Sequence, residues 1–258
     1  MFQNLPQVTK NILLLNVAFF VASLVLKSQH IDLEMTLGAH YINSPFFEPY
    51  QVVTHFFMHS TDNFMHIFFN MWLFVMLGAY LERIWGPKRF FIFYLVSAMG
   101  SFFLYNTIGF VEIHSLKQQL ASQLDIDQLD YYLKHSINLN GDILGQLNAY
   151  IHENQISVTP VLENYISKSL TPMVGASGGV FGIMTAFAIL FPNTEFRLYF
   201  AIPVKAKYLV TGYVLLEIYL ALENSASDNV AHLAHIGGAI AGAIMVLYWR
   251  KIDRSNFW

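Results

Sequence analysis

The chain contains an uncharged stretch, residues 169–194, that reads SLTPMVGASGGVFGIMTAFAILFPNT. A helix needs roughly 20 mostly apolar residues to cross the hydrocarbon core of a bilayer, and this stretch is long enough to supply them. It is also rich in glycine and alanine, the small residues that let two helices approach closely in lipid. The stretch therefore predicts a membrane-spanning helix that packs tightly against a neighbour.

Further windows without charged residues lie at 11–26, 63–81, 90–111 and 229–249. A sixth candidate, 206–222, is apolar except for Lys207 at its start and Glu217. Only helices and closed barrels span a bilayer, because every backbone polar group there must be paired within the protein. The sequence predicts an all-α polytopic membrane protein, a six-transmembrane-helix bundle that forms a single membrane domain over 1–258. The predicted spans are at about 10–28, 63–82, 89–110, 173–191, 206–222 and 230–249.

The composition supports a membrane protein and excludes several other classes. The 258 residues are 55% hydrophobic and only 12% charged, whereas soluble domains carry about a quarter charged residues. A formal net charge of −3 without a basic run argues against a nucleic-acid partner. The absence of cysteine excludes disulfides, thiolate nucleophiles and sulfur-ligated metals. The expected surroundings are the lipid bilayer.

Basic residues are distributed unequally between the two sides of the predicted bundle. Cytoplasmic loops of membrane proteins carry an excess of Lys and Arg. The N-terminal segment, the loops after spans two and four, and the C-terminal segment hold most of the 14 Lys and Arg residues: Lys10, Arg83, Lys88, Arg89, Arg197, Lys205, Lys207, Arg250, Lys251 and Arg254. We expect both termini to be cytoplasmic. No cleavage site or transit peptide is evident, which favours a bacterial inner (plasma) membrane.

Two long segments on the opposite side are not predicted to span the membrane. Residues 28–62 contain several aromatic residues and prolines, so we expect a first loop that lies at the membrane interface. Residues 111–170 are polar and acidic, and their leucines recur at near-helical spacing. They predict an exoplasmic insertion with one or two amphipathic helices.

Four polar side chains fall at a similar depth in spans two, four and six: His66, Asn70, Ser177 and His235. These spans all run from outside to inside, and a helix rises about 1.5 Å per residue. Counting from the outer boundaries puts all four roughly 6–12 Å below the outer surface. Polar groups inside a bilayer are costly and indicate function, so we interpret them as one candidate site.

The chemistry of this group is that of a serine hydrolase. Gly238 follows His235 on one face of span six, and glycines surround Ser177, so close packing of the two spans brings the serine and the histidine within reach. An adjacent base that takes its proton makes a serine hydroxyl nucleophilic, and histidine titrates in the right range. His66 and Asn70, four residues apart on one helix face, can donate hydrogen bonds to an oxyanion.

No aspartate lies at this depth to orient His235, so the sequence predicts a Ser–His dyad. Glu217, in the outer part of span five, receives no chemical role. No metal or cofactor is expected, because no carboxylate completes a ligand set with the histidines near the outer surface, His55, His59 and His232.

Taken singly, each polar residue also has a structural interpretation. A serine among glycines usually packs against a neighbour or bonds to its own backbone, and histidine and asparagine often link membrane helices. The common depth of the four and the small-residue stripes favour the active-site interpretation.

These residues resemble the rhomboid family of intramembrane serine proteases. The matching motifs are GASG at 175–178 for the family's GxSG, HIFFN at 66–70 for its HxxxN, AH at 234–235 followed by Gly238-xxx-Gly242, and PYQVVT at 49–54 before span two. The resemblance covers the chain apart from 111–170, which falls in a loop that is usually short. Two details depart from the family's pattern. The Trp-Arg pair that many members carry in the first loop is absent from this chain, and the spacing between His59 and the HxxxN motif differs from the family's.

The resemblance implies that Ser177 is the nucleophile and His235 the general base. It further implies an oxyanion hole of His66, Asn70 and the Ser177 backbone N–H, with Gly175 and Phe181 as supporting positions, Phe181 being the aromatic ring against the catalytic histidine. The implied substrates are transmembrane proteins, cleaved near the outer end of their helices after sideways entry past span five and the loop before span six.

Two other functions remain open from the sequence. A catalytically inactive rhomboid-like protein would bind membrane proteins without cleaving them, although it has no chemical reason to keep all four polar residues. A small-solute transporter would place its site near the midplane, often between repeated halves. The candidate site lies nearer one face, and no half-repeat is visible.

Overall fold

The structure is a computed structural model that describes residues 5–135, 145–198, 202–223 and 231–252. Nearly all of its regular structure is helical, which confirms the all-α prediction. The helices are α1 (Gln7–Lys27), α2 (Leu33–Leu37), α3 (Gln51–Thr54), α4 (Phe64–Leu73), α5 (Ala79–Trp85), α6 (Pro87–Leu120), α7 (Ile126–His135), α8 (Gly145–Glu153), α9 (Pro160–Leu170), α10 (Ser177–Leu190), α11 (Ala206–Glu223) and α12 (His232–Ile252).

Within the described ranges, four helical segments are long and apolar enough to cross a membrane: Gln7–Lys27, Phe64–Trp85, Pro87–Leu120 and His232–Ile252. The second of these joins α4 and α5 through a π-helical turn at Phe74–Gly78. The remaining two predicted spans overlap α10, a 14-residue apolar helix, and α11, an 18-residue helix that carries Glu217. The six exact span boundaries stay a prediction, and residue 230, where the last span was expected to begin, lies outside the described residues.

Two elements differ from the expected pattern. A two-stranded antiparallel hairpin, β1 (Glu195–Leu198) and β2 (Ile202–Lys205), occupies the predicted loop between spans four and five. Its sequence is rich in aromatic and β-branched residues, which favour extended structure. Helix α6 continues to Leu120, well past the expected end of span three near residue 110. Residues 136–144 of the predicted insertion lie outside the described part of the chain.

The chain divides into two compact units. The first comprises Met1–Phe20, Phe56–Tyr105 and Gly175–Trp258, and the second Val21–His55 and Asn106–Val174. All six predicted site residues belong to the first unit. Its core is largely aromatic and aliphatic, with Phe74, Phe90, Phe93, Tyr94 and Ile183 almost completely buried.

Helices α10 and α12 cross at glycines in the first unit. A Cβ on Gly238 would overlap the backbone of Gly178, and a Cβ on Gly242 would lie 2.7 Å from the Cα of Gly182. The two backbones therefore touch, as small residues permit in membrane helices. This crossing places the first turn of α10 beside the first turn of α12.

Helix α1 is anchored to the first unit through its N-terminus. The buried carboxylate of Glu82 accepts hydrogen bonds from the backbone N–H groups of Val8 and Thr9 at 2.8 and 2.7 Å, and from the Thr9 hydroxyl at 2.7 Å. The first N–H groups of a helix lack partners within the helix, and its positive dipole end favours a carboxylate. Glu82 thus caps α1 from α5.

The second unit is organised by buried polar groups and a leucine-rich core. The Gln51 side chain accepts from the backbone N–H of His40 and donates to the carbonyl oxygens of Thr36 and Phe46, which gives the first loop a fixed path. The backbones of Ala39 and Met173 form an antiparallel bridge. The core residues of α7, α8 and α9 are Leu129, Leu133, Leu147, Leu162 and Tyr165, all nearly inaccessible to solvent.

Candidate active site

Ser177 is the first residue of α10. The opening turn of a helix leaves backbone N–H groups without partners inside the helix. These groups form the positive end of the helix dipole. Such a helix end stabilises negative charge. The serine hydroxyl therefore lies beside a group of N–H donors suited to an oxyanion.

Gly175 lies between the serine and the histidine of α4. Its φ of +129° is a conformation that residues with a Cβ rarely adopt. A Cβ at this position would lie 3.1 Å from Nε2 of His66 and 3.3 Å from Oγ of Ser177. The imidazole and the hydroxyl thus converge on the same point, and glycine keeps the space between them open.

A contact with the preceding loop favours one tautomer of His66. The backbone N–H of Ser60 donates to Nδ1 of His66 at 3.4 Å. In a neutral imidazole only one nitrogen carries the proton, so an accepting Nδ1 leaves Nε2 as the donor. The nitrogen that approaches Gly175 and Ser177 is the one able to donate a hydrogen bond.

Asn70 follows His66 by one helical turn and is buried. Its amide nitrogen donates to the carbonyl oxygen of His66 at 2.8 Å. That bond uses one of the two amide protons, and it fixes the side chain against its own helix. The second proton is chemically able to serve as a further oxyanion donor.

His235 lies in the first turn of α12 and is packed between aromatic and acidic neighbours. The ring of Phe181 stacks on it with a centroid distance of 4.3 Å and an interplanar angle of 10°. Tyr213 of α11 packs in turn on Phe181 at 5.0 Å. Because Phe181 follows Ser177 by one helical turn, the imidazole lies along the face of α10 that carries the serine.

Glu217 contacts the predicted general base directly, which the sequence did not indicate. Its Oε2 atom accepts a hydrogen bond from Nδ1 of His235 at 2.8 Å and another from Nδ1 of His232 at 2.6 Å. The residue is only 4% exposed. The sequence feature that could have indicated this contact is the single carboxylate in an otherwise apolar span. The sequence analysis found no aspartate at this depth, and the carboxylate that reaches His235 is a glutamate to which it gave no chemical role.

The same three residues are the candidate ligands for a metal ion in the described part of the chain. One donor atom from each of Glu217, His232 and His235 lies within 4.8 Å of the others. Two imidazoles and one carboxylate form a ligand set that zinc accepts. In the structure, however, these three residues are joined by hydrogen bonds from the two Nδ1 atoms to one carboxylate oxygen.

His59, to which sequence reasoning gave no role, packs near the site. Its ring lies 5.2 Å from that of His66, and the side chain is completely buried. Burial lowers the pKa of His59 to about 3, and the neighbouring imidazole contributes to the shift. His59 is consequently neutral at physiological pH and supports the position of the His66 ring through packing.

Comparison with known proteins identifies the matching family. A model of the Rhomboid domain matches residues 47–113 and 141–252, which include every predicted site residue. An uncharacterized mitochondrial rhomboid protein of Schizosaccharomyces pombe is 39% identical over 79 residues, covering 30% of this chain and 20% of that protein. The mitochondrial RHOMBOID-like protein 12 of Arabidopsis thaliana is 36% identical over 89 residues, covering 34% and 25% respectively. The aligned regions thus span about a fifth to a quarter of the length of these relatives.

Proposed function

The chain belongs to the rhomboid family, and we propose that it is an intramembrane serine endopeptidase that cleaves transmembrane segments of membrane proteins near their outer end. The family and the four long apolar helices identify it as an integral membrane protein. The observation that carries the proposal is the convergence of Ser177 Oγ and His66 Nε2 at Gly175, next to a helix crossing that brings His235 to the same end of α10.

The proposed reaction begins with attack of the Ser177 oxygen on a substrate carbonyl carbon. The hydroxyl proton passes to Nε2 of His235, while the carbonyl oxygen becomes an oxyanion. His66, Asn70 and the Ser177 backbone N–H stabilise that oxyanion by hydrogen bonds. The tetrahedral intermediate then collapses, the C–N bond breaks, and the leaving amine takes the proton from His235. Water, deprotonated by the same histidine, releases the acyl group from the serine.

The proposed substrates are transmembrane helices that unwind easily. A peptide bond inside a helix is shielded and internally hydrogen-bonded, so it must be exposed before the serine can attack it. Glycine and proline near the scissile bond weaken a helix. We propose that a substrate helix enters sideways from the lipid past α11; residues 224–230 of the expected loop before span six lie outside the described residues.

A cleavage assay in liposomes tests the function. The purified protein is co-reconstituted with a single-span membrane protein that carries Gly and Pro near the outer end of its helix, and the products are mapped by mass spectrometry. We expect cleavage within the outer third of the helix by the wild type and none by Ser177→Ala. Solute uptake into the liposomes without cleavage would instead favour the transporter function. Binding of the membrane protein without its cleavage would favour a catalytically inactive rhomboid-like protein.

The orientation in the membrane is a separate proposal. We propose that both termini lie on the side that carries the basic loops. The chain has no cysteine, so single cysteines introduced near residue 10 and in the 111–170 segment can be labelled without background by a membrane-impermeant maleimide. Labelling of the two positions from opposite sides of the membrane would support the proposed orientation. The bacterial plasma membrane stays a prediction for the compartment, since both relatives named above are mitochondrial.

A further inference from the structure

We propose that Glu217 is a positioning residue for His235, so that this chain operates with a Ser177–His235–Glu217 triad in place of the expected dyad. The inference rests on the proposed protease function. Its basis is the hydrogen bond between Nδ1 of His235 and Oε2 of Glu217 at 2.8 Å.

The first step of the argument concerns the tautomer of the base. A carboxylate only accepts hydrogen bonds, so its partner Nδ1 must carry a proton. The neutral ring of His235 then has its free electron pair on Nε2, the atom that must receive the proton of Ser177. A histidine without such a partner is divided between two tautomers, and only one of them can act as the base.

The second step concerns charge during the reaction. When His235 takes the serine proton it becomes a cationic imidazolium inside a region with little water. A carboxylate 2.8 Å from Nδ1 offsets that charge without itself taking the proton. Glu217 is 4% exposed, so solvent screens this interaction weakly.

The third step is that Glu217 is difficult to explain as a packing residue. It is the one buried residue among 211–223 of α11, all of which the structure describes. Its neighbours Leu215, Leu216 and Tyr219 are about half exposed or more, as lipid-facing residues are. Burial of a carboxylate among apolar groups is costly unless the charge is paired, and the pairing here is with His235 and His232.

The second donor, His232, fixes the carboxylate itself. It begins α12, and its Nδ1–H lies 2.6 Å from the same Oε2 atom. Two donors on one oxygen leave the carboxylate little freedom to rotate, and both imidazoles come from the first turn of one helix. The carboxylate of α11 is therefore held by α12 at the position that His235 requires.

The test compares rates of fluorophosphonate labelling at Ser177 and turnover of the liposome substrate for the wild type and three variants. We expect Glu217→Gln, which keeps the size and removes the charge, to reduce both rates by about 10²-fold or more. KM should change little, because the carboxylate does not contact substrate. Glu217→Asp keeps the charge and should recover part of the loss. Glu82→Gln removes another buried carboxylate, whose hydrogen bonds are to Val8 and Thr9 of α1, and should label at the wild-type rate.

A spectroscopic readout separates positioning from a structural role. In protein with ¹⁵N-labelled histidine, the signals of the His235 ring are identified by their absence in His235→Ala. In the wild type they should show a protonated Nδ1. The Glu217→Gln variant should show a mixture of tautomers or the Nε2-protonated form. A wild-type His235 protonated mainly at Nε2 would overturn the inference even if no variant folds.

The outcomes distinguish this inference from the proposed function. An active wild type with an equally active Glu217→Gln variant overturns the role of Glu217 alone. A wild type that neither labels nor cleaves contradicts the protease function and this role with it. Activity that disappears on addition of EDTA and returns with zinc would assign Glu217, His232 and His235 to a metal site, which also overturns the positioning role.

Discussion

The ring of Phe181 lies parallel to that of His235, with centroids 4.3 Å apart and an angle of 10° between the planes. Stacking on one face and a hydrogen bond to Glu217 at the edge together fix the plane of the imidazole and its rotation. Such fixation from two directions matters in catalysis, because a base that is free to rotate loses its alignment with the nucleophile.

Loss of the stacked ring should slow the reaction without abolishing it. An aromatic pair contributes about 0.5–1.5 kcal/mol beyond its buried area, so Phe181→Leu should lower the labelling rate at Ser177 by roughly three- to tenfold. Phe181→Tyr keeps the ring and should stay within about twofold of the wild type. Equal rates for all three proteins, measured on material with the same helix content, would argue that the stacking has no role.

Substitution of Gly175 should inactivate the protein while leaving it folded. A methyl group at this position meets Nε2 of His66 and Oγ of Ser177 and also requires an unfavourable φ. We expect Gly175→Ala to reduce labelling of Ser177 by at least about 10²-fold. The matched control is Gly212→Ala, whose Cβ would meet nothing within 4 Å. That change should leave labelling unaffected, and a fully active Gly175→Ala would contradict the described convergence.

Glu82 should contribute to stability and not to chemistry. Its buried carboxylate accepts three hydrogen bonds at the start of α1. Glu82→Ala leaves those donors unpaired, so the free energy of unfolding should fall by about 2–4 kcal/mol, measured by reversible denaturation in mild detergent. Glu223→Ala, at an exposed position, should change it by less than about 0.5 kcal/mol. Equal effects would mean that Glu82 does not cap α1.

Stability should fall with acid because of the buried histidines before α4. Burial lowers the pKa of His55 from 6.5 to about 4 and that of His59 to about 3. The folded state thus binds fewer protons than the unfolded state below pH 6.5. The resulting stability is fully present above that pH and is lost as the pH falls toward 4 and then 3.

The slope of stability against pH measures this effect. Each such histidine should lower the free energy of unfolding by about 1.4 kcal/mol per pH unit between 6.5 and its folded-state pKa. His59→Gln removes one titrating group and should reduce the slope by about that amount. An unchanged slope in the variant would show that His59 is not held neutral by the fold.

Hydropathy predicted the helices well because a membrane span is constrained in both length and charge. Apolar stretches such as 169–194 and 229–249 form helices in lipid, and α10 lies within the first while α12 covers most of the second. The small-residue pattern around Ser177 and Gly238 predicted that the two helices pack closely, and their backbones do touch. Both features leave a pattern in the local sequence, a long uncharged stretch in one case and small residues at helical spacing in the other.

The contact between Glu217 and His235 could not be predicted in the same way. Helix α11 is apolar on almost all sides, so its sequence does not fix which face turns inward. A single carboxylate on such a helix can reach the membrane surface or face the bundle. Only the packing of α11 against α12 decides between the two, and that is a tertiary contact.

Helix α6 extends past the expected span for a related reason. The expected boundary of span three near residue 110 was placed by the first charge, Glu112. The helix continues because Ile113, Leu116 and Leu120 extend an apolar face that is buried in the second unit. A charged residue ends a membrane span but not a helix.

The most direct test of the central claim is fluorophosphonate labelling of the purified wild-type protein in detergent, with the modified residue located by mass spectrometry. It needs no knowledge of the substrate, because the reagent reports an activated serine. We predict a single labelled site at Ser177, no label in Ser177→Ala, and strongly reduced label in a folded His235→Ala. A well-folded wild type that takes up no label, or label that persists in Ser177→Ala, would contradict the assignment of this site as a serine protease centre.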